Sequence, residues 1–325
     1  MTGYRQRGAS LLELMIALAL GALVIGAIVT IYIHVARAAQ YQQALTEVQS
    51  TGRFATQLIA DDIRRAGFWG KVWQPSFEGT FEADDDNFQQ AARAGYGGDA
   101  QLAQPLPAWG APTAEVCQHS GCINSLWSGD PQAPHDVLFV RYAKVDGASS
   151  VGLESHGSCA WIGTGSGGAC SNLDDDDQWQ YHAVYYYLRS VQETQSDGGA
   201  LNVPALYMAQ LGATGQYRTV EIVRNVEALA IDWGYDQDGD GFADHYYSSE
   251  EAVLQAQSDL LGWWQNVISA RVYLVIRSDA LAVPRQIGES TLMLGGQTYS
   301  APADNRIRRL FSTTVMIRNA RNHSD

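Results

Sequence analysis

From Leu14 to Val35 the chain runs 22 residues without a formally charged side chain, and no other feature restricts its possible folds as strongly. A helix rises 1.5 Å per residue, so this stretch matches the ~30 Å hydrocarbon core of a bilayer. It needs lipid or other apolar helices around it, and it divides the chain into a basic start, a span and a body. The start, MTGYRQRG, holds Arg5 and Arg7 and no acid, which predicts a cytoplasmic N-terminus and a body outside the cytoplasm. Glu13 stands at the edge of the apolar run, where a carboxylate loses hydration and finds no cation in its own helix. A group placed at such a disadvantage points to function.

The order Gly8-Ala9-Ser10-Leu11-Leu12-Glu13 resembles the class III prepilin signal: a short basic leader, a glycine, a cut, and a glutamate five residues into the mature chain. The resemblance implies that a prepilin peptidase cleaves between Gly8 and Ala9 and methylates the new amino group, with residues 1–8 as leader. Ala9 is smaller than the Phe or Met common at that position of the family. Inside an apolar bundle an unpaired carboxylate is unfavourable, and the terminal ammonium of a neighbouring subunit is its available counter-ion, so Glu13 would set axial stagger between subunits. Two plainer readings compete. Ala36-Arg37-Ala38 looks like a signal-peptidase site that would release a soluble body, although the apolar run exceeds the roughly 7–15 residues of a secretory signal. A simple signal anchor explains the span but neither Gly8 nor Glu13.

Beyond the span, Leu45, Val48, Ala55, Leu58, Ile59, Ile63 and Ala66 recur mostly at three- and four-residue spacings, which predicts one helix over residues 9–66. At the same rise this is roughly 87 Å long. Gly21, Gly26 and Gly52 are its expected weak points, either packing or melting positions. Residues 67–325 form the body. After Gly70 a stretch rich in Gly, Pro, Ser and acids predicts a loop-rich insertion over about 71–135. Strand-like runs then cover Val137 to Val145, Val184 to Ser190, Ala205 to Leu211, Thr219 to Trp233, Val267 to Arg277, Thr291 to Leu294 and Arg306 to Ile317, many alternating apolar with polar residues. The expected fold class is α+β: a long N-terminal transmembrane and amphipathic helix packed on an antiparallel β-sheet domain. With 46% hydrophobic residues, 16 Tyr and 9 Trp, the body has the apolar area to fold. A net charge of −14 with no basic cluster excludes duplex nucleic acid and favours cations as partners.

Four strings in the body, DDIRRAGFWG, YDQDGDGFADHYY, NVISARVYLVIRS and RRLFSTTVMIRN, are similar to the PilW type of minor pilin. That resemblance implies a structural subunit and no enzyme. It would prime or cap a type IV pilus, a fibre of twitching motility, together with other minor and major pilins, the prepilin peptidase and an inner-membrane assembly platform. The location it implies is the inner membrane and then the pilus of a Gram-negative bacterium. A minor pseudopilin of a type II secretion system shares the leader, Glu13 and the long helix. A tip-displayed adhesin would use the loop-rich, aromatic region 71–215.

Asp236, Asp238, Asp240 and Asp244 fall at positions one, three, five and nine of a D-x-D-x-D-G-x-x-D loop, with Gly241 at the sixth, where the chain turns sharply. Hard oxygen ligands at alternate positions converge on one calcium ion, and the carbonyl of Phe242 at the seventh adds another. The twelfth residue is Tyr247 rather than a bidentate Glu, which leaves Glu250 or Glu251 to complete the shell, or a modest affinity. The competing reading is a solvated acidic turn. Cys117 with Cys122 and Cys159 with Cys170 lie in Gly- and Ser-rich stretches, lack zinc-ribbon spacing and belong to an oxidising compartment, so they read as short disulfide staples, with a metal site as the competing reading. The run Asp174 to Asp177 lacks alternation and reads as a solvated loop. Gly163, Gly165 and Gly168 satisfy G-x-G-x-x-G without the strand and helix a dinucleotide site requires. The seven histidines show no H-E-x-x-H, and neither a nucleophile elbow nor a P-loop occurs.

Overall fold

A computed structural model describes residues 11–71, 76–78, 106–113, 135–144, 151–156, 159–164, 178–194, 199–211, 217–279 and 290–319. Helix α1 spans Leu11–Arg65, with Glu13 in its first turn and Arg64 and Arg65 in its last, the arrangement that complements the helix dipole. Through Val35 its side chains are exposed. From Ala44 onward Ala44, Val48, Gly52, Ala55, Ile59 and Ile63 form a buried stripe on one face, as the spacing predicts. Gly52 is a packing position: a Cβ there would run into the ring of Phe311, whereas one at Gly21 or Gly26 would meet nothing within 4 Å. The helix stops at Gly67, which takes a left-handed φ of 75° that suits glycine past a helix end.

The strands are β1 Ser76–Glu78, β2 Ala108–Pro112, β3 Asp136–Lys144, β4 Val151–His156, β5 Cys159–Thr164, β6 Gln178–Thr194, β7 Ala200–Leu211, β8 Tyr217–Arg224, β9 Val226–Tyr235, β10 His245–Ser248, β11 Val267–Arg277, β12 Ser290–Leu294, β13 Gln297–Ala301 and β14 Arg308–Met316. Two short helices follow β10: α2, Ser249–Ala256, and α3, Leu260–Gln265. A large sheet runs β1-β5-β4-β6-β3-β2, with β7 on β6 and β8 on β7. Strand β6 carries β3 along one edge and shares its other edge between β4 and β7. A four-stranded sheet runs β10-β9-β11-β14, and β12 and β13 form a separate hairpin. Pairing is antiparallel except between β1 and β5 and at the His135–Leu229 bridge.

The structure departs from the sequence expectation in several places. Thr219 to Trp233 is two strands in two sheets, because Asn225 turns the chain at a φ of 65°. The amide of Asn225 donates to the Pro204 carbonyl, and its side chain accepts from Arg277 Nε and donates to Asp279. Asparagine tolerates that conformation, so a run that alternates smoothly still breaks there. Within 71–135, expected as irregular, β2 is core: Trp109 stacks on Phe139 at 3.9 Å. The helices α2 and α3 were expected as part of no element, although Ser248 and Glu251 form a capping box that opens α2.

One apolar cluster joins α1, β2, β3, β6, β7, β9, α2, α3, β11 and β14. Strand β9 is buried on both faces. Leu229, Ile231 and Trp233 face that core, while Ala228 and Ala230 join Tyr273, Val275, Leu294, Tyr299 and Ala301 beneath the β12–β13 hairpin. The two small alanines leave room for the hairpin to lie close on the sheet.

Candidate functional site

The first half of α1 is the most conspicuous surface of the molecule. Leu11, Ile33 and the large apolar side chains between them range from 41% to 77% exposed. Its most apolar 18-residue window has a mean hydropathy of 2.7 and is 0% buried, so length and composition suit a membrane span. Contiguous apolar area of this extent marks a membrane or protein contact. Glu13 sits in the first turn, within that surface. Gly8 and Ala9 lie outside the described residues, as do Cys117, Cys122 and Cys170. Cys159 opens β5, and its side chain is likewise outside the description.

The second half of α1 is held to the body by polar contacts that its sequence pattern does not reveal. The buried Asp62 carboxylate accepts hydrogen bonds from Tyr142 Oη at 2.9 Å and Tyr186 Oη at 2.5 Å, one from β3 and one from β6. Burial pushes both phenols up, and the Asp62 charge adds to the effect, so they remain donors at any ordinary pH. The helix end is tied as well: Gly67 N–H donates to the Arg141 carbonyl, and the Asn319 side chain donates to the Ala66 carbonyl. On the far side of the small sheet, Glu227 accepts from Arg308, Arg277 and Tyr299, linking β9, β11, β14 and the hairpin.

The acidic loop bridges β9 and β10. Asp236 is buried, and its two carboxylate oxygens accept from the amides of Gly239 and Gly241, each at 2.8 Å. Those glycines have φ of 80° and 88°, the left-handed conformations that aim consecutive amides inward. Asp244 accepts from Gln237 N–H at 2.8 Å, and Asp244 N–H donates to the Tyr235 carbonyl at the base of the loop. One carboxylate oxygen from each of Asp236, Asp238 and Asp244 lies within 4.8 Å of the others. Asp240 is not in that group; it accepts from the Phe242 amide at 2.8 Å, and the Phe242 side chain is 73% exposed. Glu251 is engaged elsewhere, accepting from Ser248 N–H at 3.0 Å in the α2 cap, so of the two expected shell-completing glutamates it is the one the fold employs structurally. Tyr247, at the twelfth position, packs edge-on to Trp263, which stacks on Tyr235 at 5.3 Å. Three like charges at this range repel, and a hard divalent cation is the chemistry that relieves them.

Residues 185–319 match the sequence model of the type IV pilus-assembly protein W family, and residues 3–29 match the prokaryotic N-terminal methylation motif. The C-terminal part of the body is thus similar to the PilW family, and the start of the chain to a prepilin methylation motif. The PilW match runs from within β6 to the end of the described chain, so it includes the acidic loop, the hairpin and the Glu227 network. Neither match covers residues 30–184, which hold most of α1 and the first five strands. No curated protein and no solved structure gives a significant match. The two family matches support a minor pilin of the type IV pilus, anchored in a membrane by its apolar helix and dealing with pilus components and a prepilin peptidase.

Proposed function

We propose that this PilW-type chain is a structural subunit that primes or caps type IV pilus assembly after a prepilin peptidase cuts between Gly8 and Ala9. The observation that carries this reading is the continuity of α1: one helix has an exposed apolar half with Glu13 in its first turn and a second half seated in the core of a PilW-type body. Withdrawn from the bilayer, the apolar half packs among equivalent helices of minor and major pilins, and Glu13 pairs with a neighbour's terminal ammonium inside that bundle. The body then stands outside the cytoplasm of a Gram-negative cell, first on the inner membrane above the assembly platform and then on the fibre. In that compartment Cys117 with Cys122, and Cys159 with Cys170, form loop disulfides. Calcium bound through Asp236, Asp238 and Asp244, with Asp240 and the Phe242 carbonyl drawn in, fixes the β9–β10 loop on the outward face.

Mass spectrometry of the N-terminal peptide from membrane and sheared-fibre fractions of the native host tests the reading. Methylated Ala9 in both fractions is the expected result. A mature start near Ala39, or an uncleaved N-terminus in the fibre fraction, would overturn it.

A further inference from the structure

Asp136 and Asp232 are two buried carboxylates, 1% and 4% exposed, at the point where the large sheet, the small sheet, α2 and the β12–β13 hairpin meet. The acidic loop and the assembly helix make no use of them. Asp136 accepts from Ile231 N–H at 2.7 Å and has the Ser249 side chain of α2 and the Gln297 side chain of the hairpin within reach, the Ser249 hydroxyl donating to the Ile231 carbonyl at 3.2 Å. Asp232 accepts from Tyr273 Oη at 3.1 Å and from the Gly296 amide in the hairpin turn, while its Oδ1 is buried without a hydrogen-bond partner among the described residues. The turn lies so close that a Cβ on Gly295 would run into the Asp232 carboxylate.

We infer that these two carboxyls form a proton-dependent latch, closed over by the β12–β13 hairpin and the start of α2 and loosened when the site loses its proton. Both groups have reason to hold a proton. Burial pushes Asp136 up to about 7, against the lowering effect of these three polar groups, and the Asp232 charge pushes it further. Asp232 is also raised, by burial first. The other charged and titratable groups facing the site are Tyr273 and Arg271 from β11 and Glu251 from α2, and His135 precedes Asp136 just outside β3. Tyr299 of the hairpin turns instead to Glu227. Hydrogen bonds from the closed site fail to outweigh its dryness, so ionised Asp136 favours any state in which water reaches it. Strands β3 and β9 are central and α2 stays seated in the core through Ala252, Val253 and Ala256, whereas the hairpin belongs to neither larger sheet and can part from Ser249 at the start of α2 without breaking one. Opening would bare the apolar face of Ala228, Ala230, Tyr273 and Val275.

The sign follows from linkage. A carboxyl with a raised folded-state value supports closure fully below its solvated value, and that support is lost as pH rises through about 7. Hydrogen–deuterium exchange of the full chain in detergent micelles, corrected for intrinsic rates, reads this directly. Between about pH 5.5 and 8.5, opening at Gly296 and Gln297 should rise roughly tenfold while the β9–β11 amides stay protected. Asp136→Asn keeps the shape and cannot ionise, so it should abolish the rise. Gly295→Ala, which forces the turn off Asp232, should lose hairpin protection at both pH values and flatten the response, since coupling is reciprocal. Equal hairpin protection at both pH values in the unaltered chain would overturn the latch, as would a full pH response persisting in either variant.

Discussion

Asp62 shows how one residue on α1 decides where that helix sits. It occupies the position an apolar side chain would take in a helical stripe, four residues before Ala66 and three after Ile59, yet it is a buried carboxylate with two tyrosine hydroxyls aimed at it from different strands. An apolar stripe alone permits a helix to slide or roll by small amounts; two short hydrogen bonds to fixed donors do not. Asp62→Ala should therefore destabilise the body by about 2–4 kcal/mol, because it leaves two buried hydroxyls without an acceptor as well as a small cavity. Urea denaturation of the membrane-extracted chain, followed by tryptophan fluorescence, checks this. A loss below about 0.5 kcal/mol would mean that the tyrosines find water and that the contact does not fix the helix.

Elements whose two faces meet different surroundings were the hardest to read from the sequence. Strands β3, β11, β12 and β14 lie close to their expected limits, since each alternates or runs apolar over a length typical of strands, whereas β7 begins five residues before its expected start. Strands β4 and β5 were not expected, because VGLESH and CAWIGT lie among glycines and serines that favour turns. The β9–β10 loop is the opposite case. Its aspartates stand at alternate positions of one short loop, so the sequence displays them, and the fold adds the amides of Gly239 and Gly241 that hold Asp236 in place. The loop should bind calcium in the roughly 0.1–1 mM range of extracellular modules, given one carboxylate engaged elsewhere and no bidentate Glu. At a hundredfold excess over the dissociation constant the ion adds about 2.7 kcal/mol to stability. Thermal unfolding with calcium and with chelator should differ accordingly, and Asp236→Asn combined with Asp238→Asn should erase the difference. An equal midpoint in 10 mM calcium and in chelator, a concentration at least about tenfold above that range, would leave the loop a solvated turn.

At the scale of the whole molecule, the chain is a body that folds around half of a helix and leaves the other half exposed. The described apolar contacts between α1 and the body all involve the part of α1 from Tyr41 onward, so changes at Glu13 should leave the body intact. Glu13→Ala is expected to give the same unfolding midpoint in detergent and at least about a tenfold fall in the amount recovered in sheared fibres, the scale set by losing one charge pair in an apolar bundle. Undiminished recovery would remove the charge from the assembly mechanism. The apolar run, Glu13 and the acidic loop are legible in the sequence because, in the proposed function, each acts on something outside the folded body: a bilayer or helix bundle, a neighbouring subunit, an ion. Local spacing is sufficient for such tasks. Asp62, Asp136, Asp232 and Glu227 look in the sequence like ordinary acids on helices and strands, and their partners lie 41 to 124 residues away. Only the packing of helix on sheet and hairpin on sheet takes these carboxylates out of water, and that loss of hydration turns them into a pin, a latch and a clasp.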